Sequence, residues 1–290
     1  ADAADAVFVE GVSLSLIQRL GEREHLERSE GADLGLRVFV GSRQAIVSSS
    51  DTSETALDEL LGRAVAMARS VPEDPYCGLA DPEQLAGDFP DLEVCDDAEP
   101  SGDMLSERAA MAEEAALGVS GVTNSEGAEA GWDRNNIAMV SSNGFARTRS
   151  GSSHSISVSV VAGENAGMER DYDYATAVYG DDLPSPEEIG RTAGEKAVGR
   201  LNPQKVRSAE VPVVYDPRVA NSLLGHLASA INGNSVTRGT TFLKDKMEEK
   251  IFPDSVTVVD DPLRRRGLRS KCFDGEGVGT HRLGGGGGVF

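Results

Sequence analysis

The sequence predicts an α+β fold in which antiparallel sheets are covered by helices. Two observations support this class. Alternating apolar and polar runs come in pairs around glycine-containing turns, as at residues 34–40 and 44–48, and this spacing is typical of hairpins. Between such pairs lie segments with apolar residues at three- and four-residue steps, each beginning at a residue that can cap a helix.

Composition limits the function classes. The chain has 290 residues, no run of about 18 apolar residues, and a first segment without the basic start of a secretion signal. Three widely spaced cysteines, Cys77, Cys95 and Cys272, indicate free thiols in a reducing compartment rather than a disulfide framework. We therefore expect a cytoplasmic protein, with no membrane contact.

The net charge is −20, from 28 basic and 48 acidic residues. Such a surface repels phosphate backbones, so the sequence argues against a nucleic-acid partner. One basic cluster stands out: Arg264, Arg265, Arg266, Arg269 and Lys271. Two interpretations stay open for it, a solvated loop that balances Asp260 and Asp261, and a loop that binds a partner or a phosphate.

The first 70 residues predict a strand, a hairpin and a helix. The strand covers residues 7–20 and ends at Gly21, and the exposed His25 follows in a charged segment. The hairpin turns at residues 41–43. Asp51 can cap the next helix, with Glu54 completing a capping box. Its apolar face comprises Leu57, Leu60, Leu61, Ala64, Val65 and Ala68.

The middle of the chain begins with a loop, because five prolines interrupt residues 71–102. A helix is expected over residues 103–117, with Glu113 and Glu114 on its wet outer face. An antiparallel sheet of about four short strands should follow, with its clearest turn at Asn143-Gly144. The predicted strands are 122–125, 137–140, 145–149 and 155–161.

Two polar segments of this region invite functional interpretations. Ser150, Ser152, Ser153 and Ser155 surround His154, but no acid or Gly-x-Ser-x-Gly turn accompanies them, which favours a polar strand surface over a nucleophile. Residues 168–174 combine charges with tyrosines, which suits peptide recognition and equally suits an ion-paired strand edge.

A capped helix from Ser185-Pro186 to Leu201 ends the first part of the chain. We place the domain boundary after it, with an N-terminal α+β domain at 1–203 that has two sheet-forming regions, and a second domain at 204–290.

The second part begins with a predicted strand at 211–215, followed by a helix that Asp216 caps and Pro217 opens. Residues 232–234 can adopt the left-handed end of that helix, and a strand is expected at 256–259. The helix should bury one apolar stripe, formed by Val219, Leu223, Leu224, Leu227 and Ile231.

Several segments together resemble the TldD/TldE (PmbA) family: GLRVFVGSRQA, VTNSEG, GSSHS, MERDYDY, LLGHLASAINGNSVTRGTTFLKDK and VVDDPLRRRGLRSKCFDGEG. In TldD-like members a helix carries His-Glu-x-x-x-His ahead of Arg-Gly-Thr, and this motif binds zinc. Counting back from Arg238, the ligand positions here are Leu224 and Ser229, and the acid position is Gly225. Neither side chain at the ligand positions can replace an imidazole. We interpret His226, between them, as a capped or partly buried structural histidine.

The resemblance therefore implies the TldE-like branch, a non-catalytic subunit whose TldD-like partner binds the zinc and cleaves unfolded peptides. This chain would hold no cofactor or metal and have no catalytic residue of its own. The candidate contacts with peptide or partner are Arg170, Tyr172, Tyr174, His226 and Arg238.

Two alternatives remain. The family's older label suggests a stand-alone regulator of DNA gyrase, and an acidic surface could engage a basic protein or mimic DNA. An active zinc peptidase would have to use residues that share no ligand spacing: His154, His226, Cys272 and His281.

The end of the chain departs from the family pattern. Five consecutive glycines at 284–288 precede Val289 and Phe290, where family members continue into a further β-rich region. A glycine run cannot build a packed element. We expect residues 204–290 to be the start of a PmbA-like C-terminal domain that is truncated here.

Overall fold

The computed structural model describes residues 1–285 and contains five α-helices and eight strands in that range. The strands are β1 (Ala3–Arg19), β2 (Glu22–Val40), β3 (Arg43–Ser49), β4 (Val122–Ser141), β5 (Ala146–Ala162), β6 (Glu169–Ala177), β7 (Val258–Asp260) and β8 (Leu283–Gly285). The helices are α1 (Glu54–Ser70), α2 (Gly102–Leu117), α3 (Pro186–Gly199), α4 (Pro217–Ala230) and α5 (Gly233–Thr237). The predicted α+β class is confirmed.

One six-stranded antiparallel sheet, in the order β3-β2-β1-β4-β5-β6, organises the first part of the chain. The hairpins at 41–43 and at Asn143-Gly144 are confirmed. The prediction of four short strands was wrong, because 122–125 and 137–140 are the two ends of β4, and 145–149 and 155–161 both fall largely within β5. The middle of β4 is paired on both sides, and its buried Ala128, Ala130 and Trp132 alternate with the exposed Glu129 and Asp133.

Helices cover one face of this sheet at two places. Near one end of β1, α2 and α3 pack over Leu14, Leu16, Ile156 and Val160. Near the other end, α1 packs over Val38 and its neighbours on β2 and β3. Ala4 packs in one of these cores and Leu16 in the other. The two residues are separated by an even number of positions on β1, so their side chains, and therefore the two cores, lie on the same face of the sheet.

The packing of α2 against α3 depends on two glycines of α3. A methyl group added at Gly190 would lie 2.1 Å from the carbonyl oxygen of Ala112, and one at Gly194 would lie 2.7 Å from Val119. Small residues here let the two backbones approach closely, so α2 and α3 form one layer over the sheet.

Two expectations about the helices need correction. Ser53, not Asp51, caps α1 by accepting from the N–H of Ala56, while Asp51 accepts from the N–H of Ser53. Glu113 is not on a wet face: it is 2% exposed.

The carboxylate of Glu113 accepts hydrogen bonds from the backbone N–H groups of Leu20, at 2.8 Å, and Gly21, at 3.1 Å. The hydroxyl of Ser125 donates to it as well. Because the turn after β1 would otherwise leave these donors unpaired, the buried acid fastens the turn to α2.

The opposite face of the sheet is covered in part by irregular segments. Phe145 packs edge-on against Phe273, with ring centroids 5.1 Å apart, and Phe89 also packs edge-on against Phe273. Arg37 on β2 binds both Asp5 and Glu276, which fixes residues 262–281 to the strands. The loop at 71–102 is confirmed apart from one short turn at Pro82–Gln84.

Two arginines of the basic cluster form ion pairs within the first unit. Arg265 and Arg266 both bind Glu93, and Arg266 also binds Asp182 and lies 4.0 Å from the ring centroid of Tyr179. These two arginines therefore hold the loop at residue 93 in place through ion pairs.

The chain divides into two units, 1–203 with 262–281, and 204–261 with the residues from 282 onward. Our division at 203/204 into two domains stays a prediction, and residues 262–281 lie with the first unit. Within the second unit, α4 is capped by Asp216 as predicted, and β7 pairs with β8. The predicted strand 256–259 is observed as Val258–Asp260.

Three expectations about the second unit were wrong. Residues 211–215 form no strand and are exposed. Asn232 does not end α4 in a left-handed conformation, since its side chain caps α5. Of the apolar stripe on α4 only Leu227 is buried, whereas Val219, Leu223, Leu224 and Ile231 are exposed, because within the second unit the main contact of α4 is with the short α5.

No helix within residues 1–285 has both the length and the apolar character needed to cross a membrane. Cys77, Cys95 and Cys272 are free thiols, as predicted. Of the glycine run, residues 286–288 lie outside the described residues, as do Val289 and Phe290.

Candidate functional site

The positions that correspond to the zinc motif lie on α4. Asp216 starts this helix by accepting from the N–H of Arg218 at 2.9 Å. Leu224, Gly225 and Ser229 are exposed along it, and a side chain at Gly225 would meet no atom within 4 Å. His226 is exposed too, so our interpretation of it as a capped or partly buried structural histidine was wrong.

These residues do not fit a zinc ion. Zinc sites use imidazole, thiolate or carboxylate groups in sets of three or four, and α4 offers His226 alone among the six motif positions. Within residues 1–285, no three His, Cys, Asp or Glu side chains come together in a way that could hold a metal. These groups therefore cannot hold a metal ion that takes part in a reaction.

Besides His226, the second unit contains one more candidate contact with peptide or partner, Arg238. It lies at the C-terminal end of α5. It is exposed, and Gly239 next to it adopts a positive φ of 67°. The hydroxyl of Thr241 donates to the carbonyl oxygen of Ala230 at 2.7 Å. This bond ties the Arg-Gly-Thr turn to the C-terminal end of α4.

The other candidate contacts lie together on β6, the last strand of the large sheet. Tyr172 and Tyr174 are about half exposed, and their rings stack with centroids 6.2 Å apart. Arg170 lies two residues before Tyr172, on the same side of the strand, and binds Glu126 at 3.3 Å. The three predicted residues thus form one exposed row on the edge strand.

The alternate residues of β6 face the helical layer. Asp171, which is buried, binds Arg200 at 3.1 Å, and Asp173 binds Lys196 at 2.7 Å. An ion-paired edge and a tyrosine-bearing surface were alternative interpretations of this segment. The strand has both, one on each side.

Sequence reasoning missed a buried histidine–carboxylate pair. His154 is 3% exposed, so it is not part of a polar strand surface, and its Nε2 lies 3.1 Å from Oδ2 of Asp96. Asp96 also accepts hydrogen bonds from the backbone N–H groups of Ala98 and Gly180. No pattern in the sequence links Asp96 to His154. The alternation of β5 could have indicated that His154 is buried, because it lies two residues before the buried Ile156 and so faces the same side of the strand.

The electrostatics of this pair are set by burial and hydrogen bonds. Burial lowers the pKa of His154 below its ordinary value, against the opposing effect of Asp96. Burial works to raise the pKa of Asp96, but the hydrogen bonds from the N–H groups of Ala98 and Gly180, together with the neighbouring His154, outweigh it and leave that pKa lowered. At neutral pH the pair is therefore an Asp96 carboxylate beside a neutral imidazole.

This arrangement does not make a nucleophile. The hydroxyl of Ser152 donates to the carbonyl oxygen of Val178 and accepts from the N–H of Asp96. Ser153 donates to Asp133 on the opposite face of the sheet. In the part of the chain that the structure describes, no serine hydroxyl is bonded to His154, so the pair holds the loop at residue 96 against β5.

Three sequence models of one family match the chain. They are the PmbA/TldA metallopeptidase domain 1 at residues 4–68, the central domain at 95–201 and the C-terminal domain at 208–284. The metalloprotease PmbA of Escherichia coli O157:H7 is 37% identical over 97% of this chain and 63% of its own length. A PmbA homologue of Haemophilus influenzae is 36% identical, with 97% and 62% covered. The chain thus spans less than two thirds of these relatives.

Solved structures agree with the fold. A protein of Bacteroides thetaiotaomicron, described as a candidate modulator of DNA gyrase, superposes with a TM-score of 0.93 at 27% identity, covering 100% of this chain and 67% of its own. TldE of Thermococcus kodakarensis superposes with a TM-score of 0.82 at 21% identity, covering 100% and 65%.

Proposed function

The chain belongs to the PmbA/TldD metallopeptidase family, and we propose that it is the non-catalytic, TldE-like subunit of a two-chain metallopeptidase that degrades or processes unfolded peptides. The partner would be a TldD-like chain that supplies the zinc ion and the general base. This chain would contribute surfaces that receive the peptide. Because the chain spans 63% of the length of the Escherichia coli PmbA, the activity and the partner are proposed for it by family membership.

The observation that carries the proposal is the composition of α4. The positions that hold zinc in TldD-like members are Leu224 and Ser229 here, with Gly225 at the position of the acid. A zinc peptidase needs side chains that donate electron pairs to the metal and a carboxylate that takes a proton from bound water. None of the three residues carries an imidazole, a thiolate or a carboxylate for either task.

Peptide would bind at the edge of the large sheet. An extended peptide can add a strand to an exposed edge, where main-chain hydrogen bonds give affinity with little dependence on sequence. The edges are β3 and β6, and β6 favours this role because Tyr172 and Tyr174 offer a large, rigid contact area beside it. Arg170 could pair with an acidic group of the peptide.

A cytoplasmic location fits this role. Three half-buried free thiols are compatible with a reducing compartment, and an unfolded peptide is a natural substrate there. The zinc of the complex would be held by the partner alone.

The test is cleavage of an unfolded protein by this chain alone, by a TldD-like partner alone and by the mixture, each with and without a chelator. We expect cleavage only in the mixture, and its loss on chelation. Chelator-sensitive cleavage by this chain alone would overturn the assignment of α4 as a lost zinc site. Full activity of the partner alone would overturn the subunit role.

A second candidate is a stand-alone regulator of DNA gyrase. The Bacteroides structure is described as a candidate gyrase modulator, and a net charge of −20 could imitate the charge of DNA. A salt-sensitive complex with gyrase, formed in the absence of any TldD-like chain, would favour this function over the first.

A further inference from the structure

A cavity of about 270 Å³ lies between three segments of the first unit. The segments are 89–94 of the long loop, 148–150 of β5 and 270–273. The peptidase role makes no use of it. Its lining combines an apolar floor with two cations, and we propose that it binds a small monocarboxylate that carries an apolar group, such as an N-acylated aromatic or branched aliphatic amino acid.

The floor is made of buried apolar side chains. Leu92 and Phe273 are 6% and 5% exposed, and Phe89 packs edge-on against Phe273 with ring centroids 6.2 Å apart. Such a floor gains free energy by covering an apolar group of the ligand. The volume lies just below the roughly 300–1,000 Å³ of sites for drug-sized ligands, so one aromatic or branched aliphatic group with its carboxylate suits it.

The cations explain why the ligand should be an anion. Arg149 and Lys271 line the cavity, and neither forms an ion pair with a described residue, in contrast to Arg265 and Arg266, which bind Glu93. In a chain with a net charge of −20, two unpaired cations beside one cavity are available to an incoming anion.

The charge balance favours a carboxylate over a phosphate. Asp91 is the acid among the lining residues, so the charged side chains Arg149, Lys271 and Asp91 carry a combined charge of +1. A monocarboxylate neutralises this charge, whereas a phosphate dianion would leave an excess negative charge. Thr148 and Ser270 also line the cavity, and their hydroxyl groups can donate hydrogen bonds to the carboxylate, whereas the hydroxyl of Ser150 already donates to Oδ1 of Asn136.

The walls are held in place without a ligand. The carbonyl oxygen of Leu92 accepts from the N–H of Arg266 at 2.8 Å, and that of Val94 accepts from the N–H of Ser152 at 3.0 Å. The thiol of Cys272 lies 3.4 Å from the carbonyl oxygen of Pro90. A cavity with walls fixed in this way binds without a large ordering cost.

The probes are N-acetyl-phenylalanine, its neutral amide and phenyl phosphate, with binding measured by calorimetry on the chain alone. We expect the acid to bind at least about tenfold more tightly than the amide, and more tightly than phenyl phosphate. Arg149→Gln and Lys271→Gln should each weaken binding of the acid by about fivefold. The matched control Arg269→Gln removes an exposed cation that does not line the cavity and should leave binding unchanged.

Alkylation of Cys272 gives a second readout at the cavity itself. N-Acetyl-phenylalanine should protect this thiol from iodoacetamide at about pH 9, while Cys77, which does not line the cavity, reacts equally with and without ligand.

Three results would overturn the proposal: equal affinity for acid and amide, tighter binding of phenyl phosphate, and no protection of Cys272. The site needs neither zinc nor a partner chain, so such a result would leave the peptidase role untouched.

Discussion

Nε2 of His154 lies 3.1 Å from Oδ2 of Asp96, with the imidazole buried on β5 and the carboxylate in the long loop. Arg108 faces the same ring and opposes its protonation, while Asp133 weakly favours it. The pair joins an irregular segment to β5 of the large sheet, and its protonation state should therefore affect the stability of the fold.

We expect the protein to lose stability as the pH falls below about 6.5. There the unfolded chain takes up a proton on His154, whereas the folded chain resists because burial lowers the pKa of the imidazole. The unfolded state then binds more protons, so the free energy of unfolding falls with pH. Asp96, whose pKa is lowered as well, adds a further loss below about pH 4.

Thermal unfolding between about pH 7.5 and pH 5 checks this, since only His154 of the pair titrates there. The variant His154→Gln should show a flatter dependence of the melting temperature on pH. His25→Gln is the control, because His25 is exposed. If the melting temperature of the His154→Gln variant depended on pH as steeply as that of the parent protein, the assignment of this pH dependence to His154 would be contradicted.

Glu113→Ala should lower the free energy of unfolding by about 3 kcal/mol. The substitution removes the acceptor for the N–H groups of Leu20 and Gly21 and the hydroxyl of Ser125, which would stay buried without a partner. Urea unfolding measures the effect. Glu114→Ala, an exposed change on the same helix, should stay within about 0.5 kcal/mol of the parent.

Gly190→Ala should be among the most destabilising single changes in the chain, at about 3 kcal/mol or more. Its methyl group would collide with the carbonyl oxygen of Ala112, which is backbone and cannot move without separating α2 from α3. Gly199→Ala lies at the end of the same helix and meets no atom within 4 Å. It should be neutral or slightly stabilising in chemical denaturation, and equal effects of the two changes would refute the close-packing argument.

Arg37→Gln should loosen residues 262–281 from the sheet. It leaves Asp5, which is buried, without its cation and frees Glu276, at a cost of about 2–4 kcal/mol. Limited proteolysis should cut the variant faster within 262–281. Arg43→Gln breaks only the surface pair with Glu73 and should not change the cleavage pattern.

Tyr172→Ser combined with Tyr174→Ser should lower kcat/KM of the two-chain peptidase by about tenfold, because aromatic contact area dominates peptide affinity. The thermal stability of the chain should change little, since both rings are about half exposed. Tyr76→Ser, at a residue that is 94% exposed, serves as the control. Unchanged cleavage by the double variant would refute the proposal that the peptide binds along β6.

Much of the fold follows from local patterns. Ser101 and Ser185 cap α2 and α3 by accepting from N–H groups three residues on, and Asn143-Gly144 turns the chain between β4 and β5. These features act within a few residues and are visible in one sequence. Glu113 shows the limit, because a charge in the middle of a helix indicates solvent until the donors that surround it are known.

The candidate site was predictable only in part. The exposed row on β6 follows from strand alternation, and the lost zinc positions on α4 follow from comparing residue types at motif spacing. His154 and Asp96 are 58 residues apart, and Asp96 lies in a loop with no periodicity, so no pattern could join them. The exposed stripe on α4 was misjudged because periodicity tells which residues share a side and not what covers them.

The central position of β1 also dictates an order of events during synthesis. Its partner β2 follows directly, but the register that pairs Leu14 with Trp132 joins residues about 120 positions apart. Until β4 has left the ribosome, β1 presents an unpaired edge of 17 residues, longer than an average strand. The nascent chain is therefore most prone to wrong strand pairing in that interval, and a chaperone that shields extended apolar segments would act on it there.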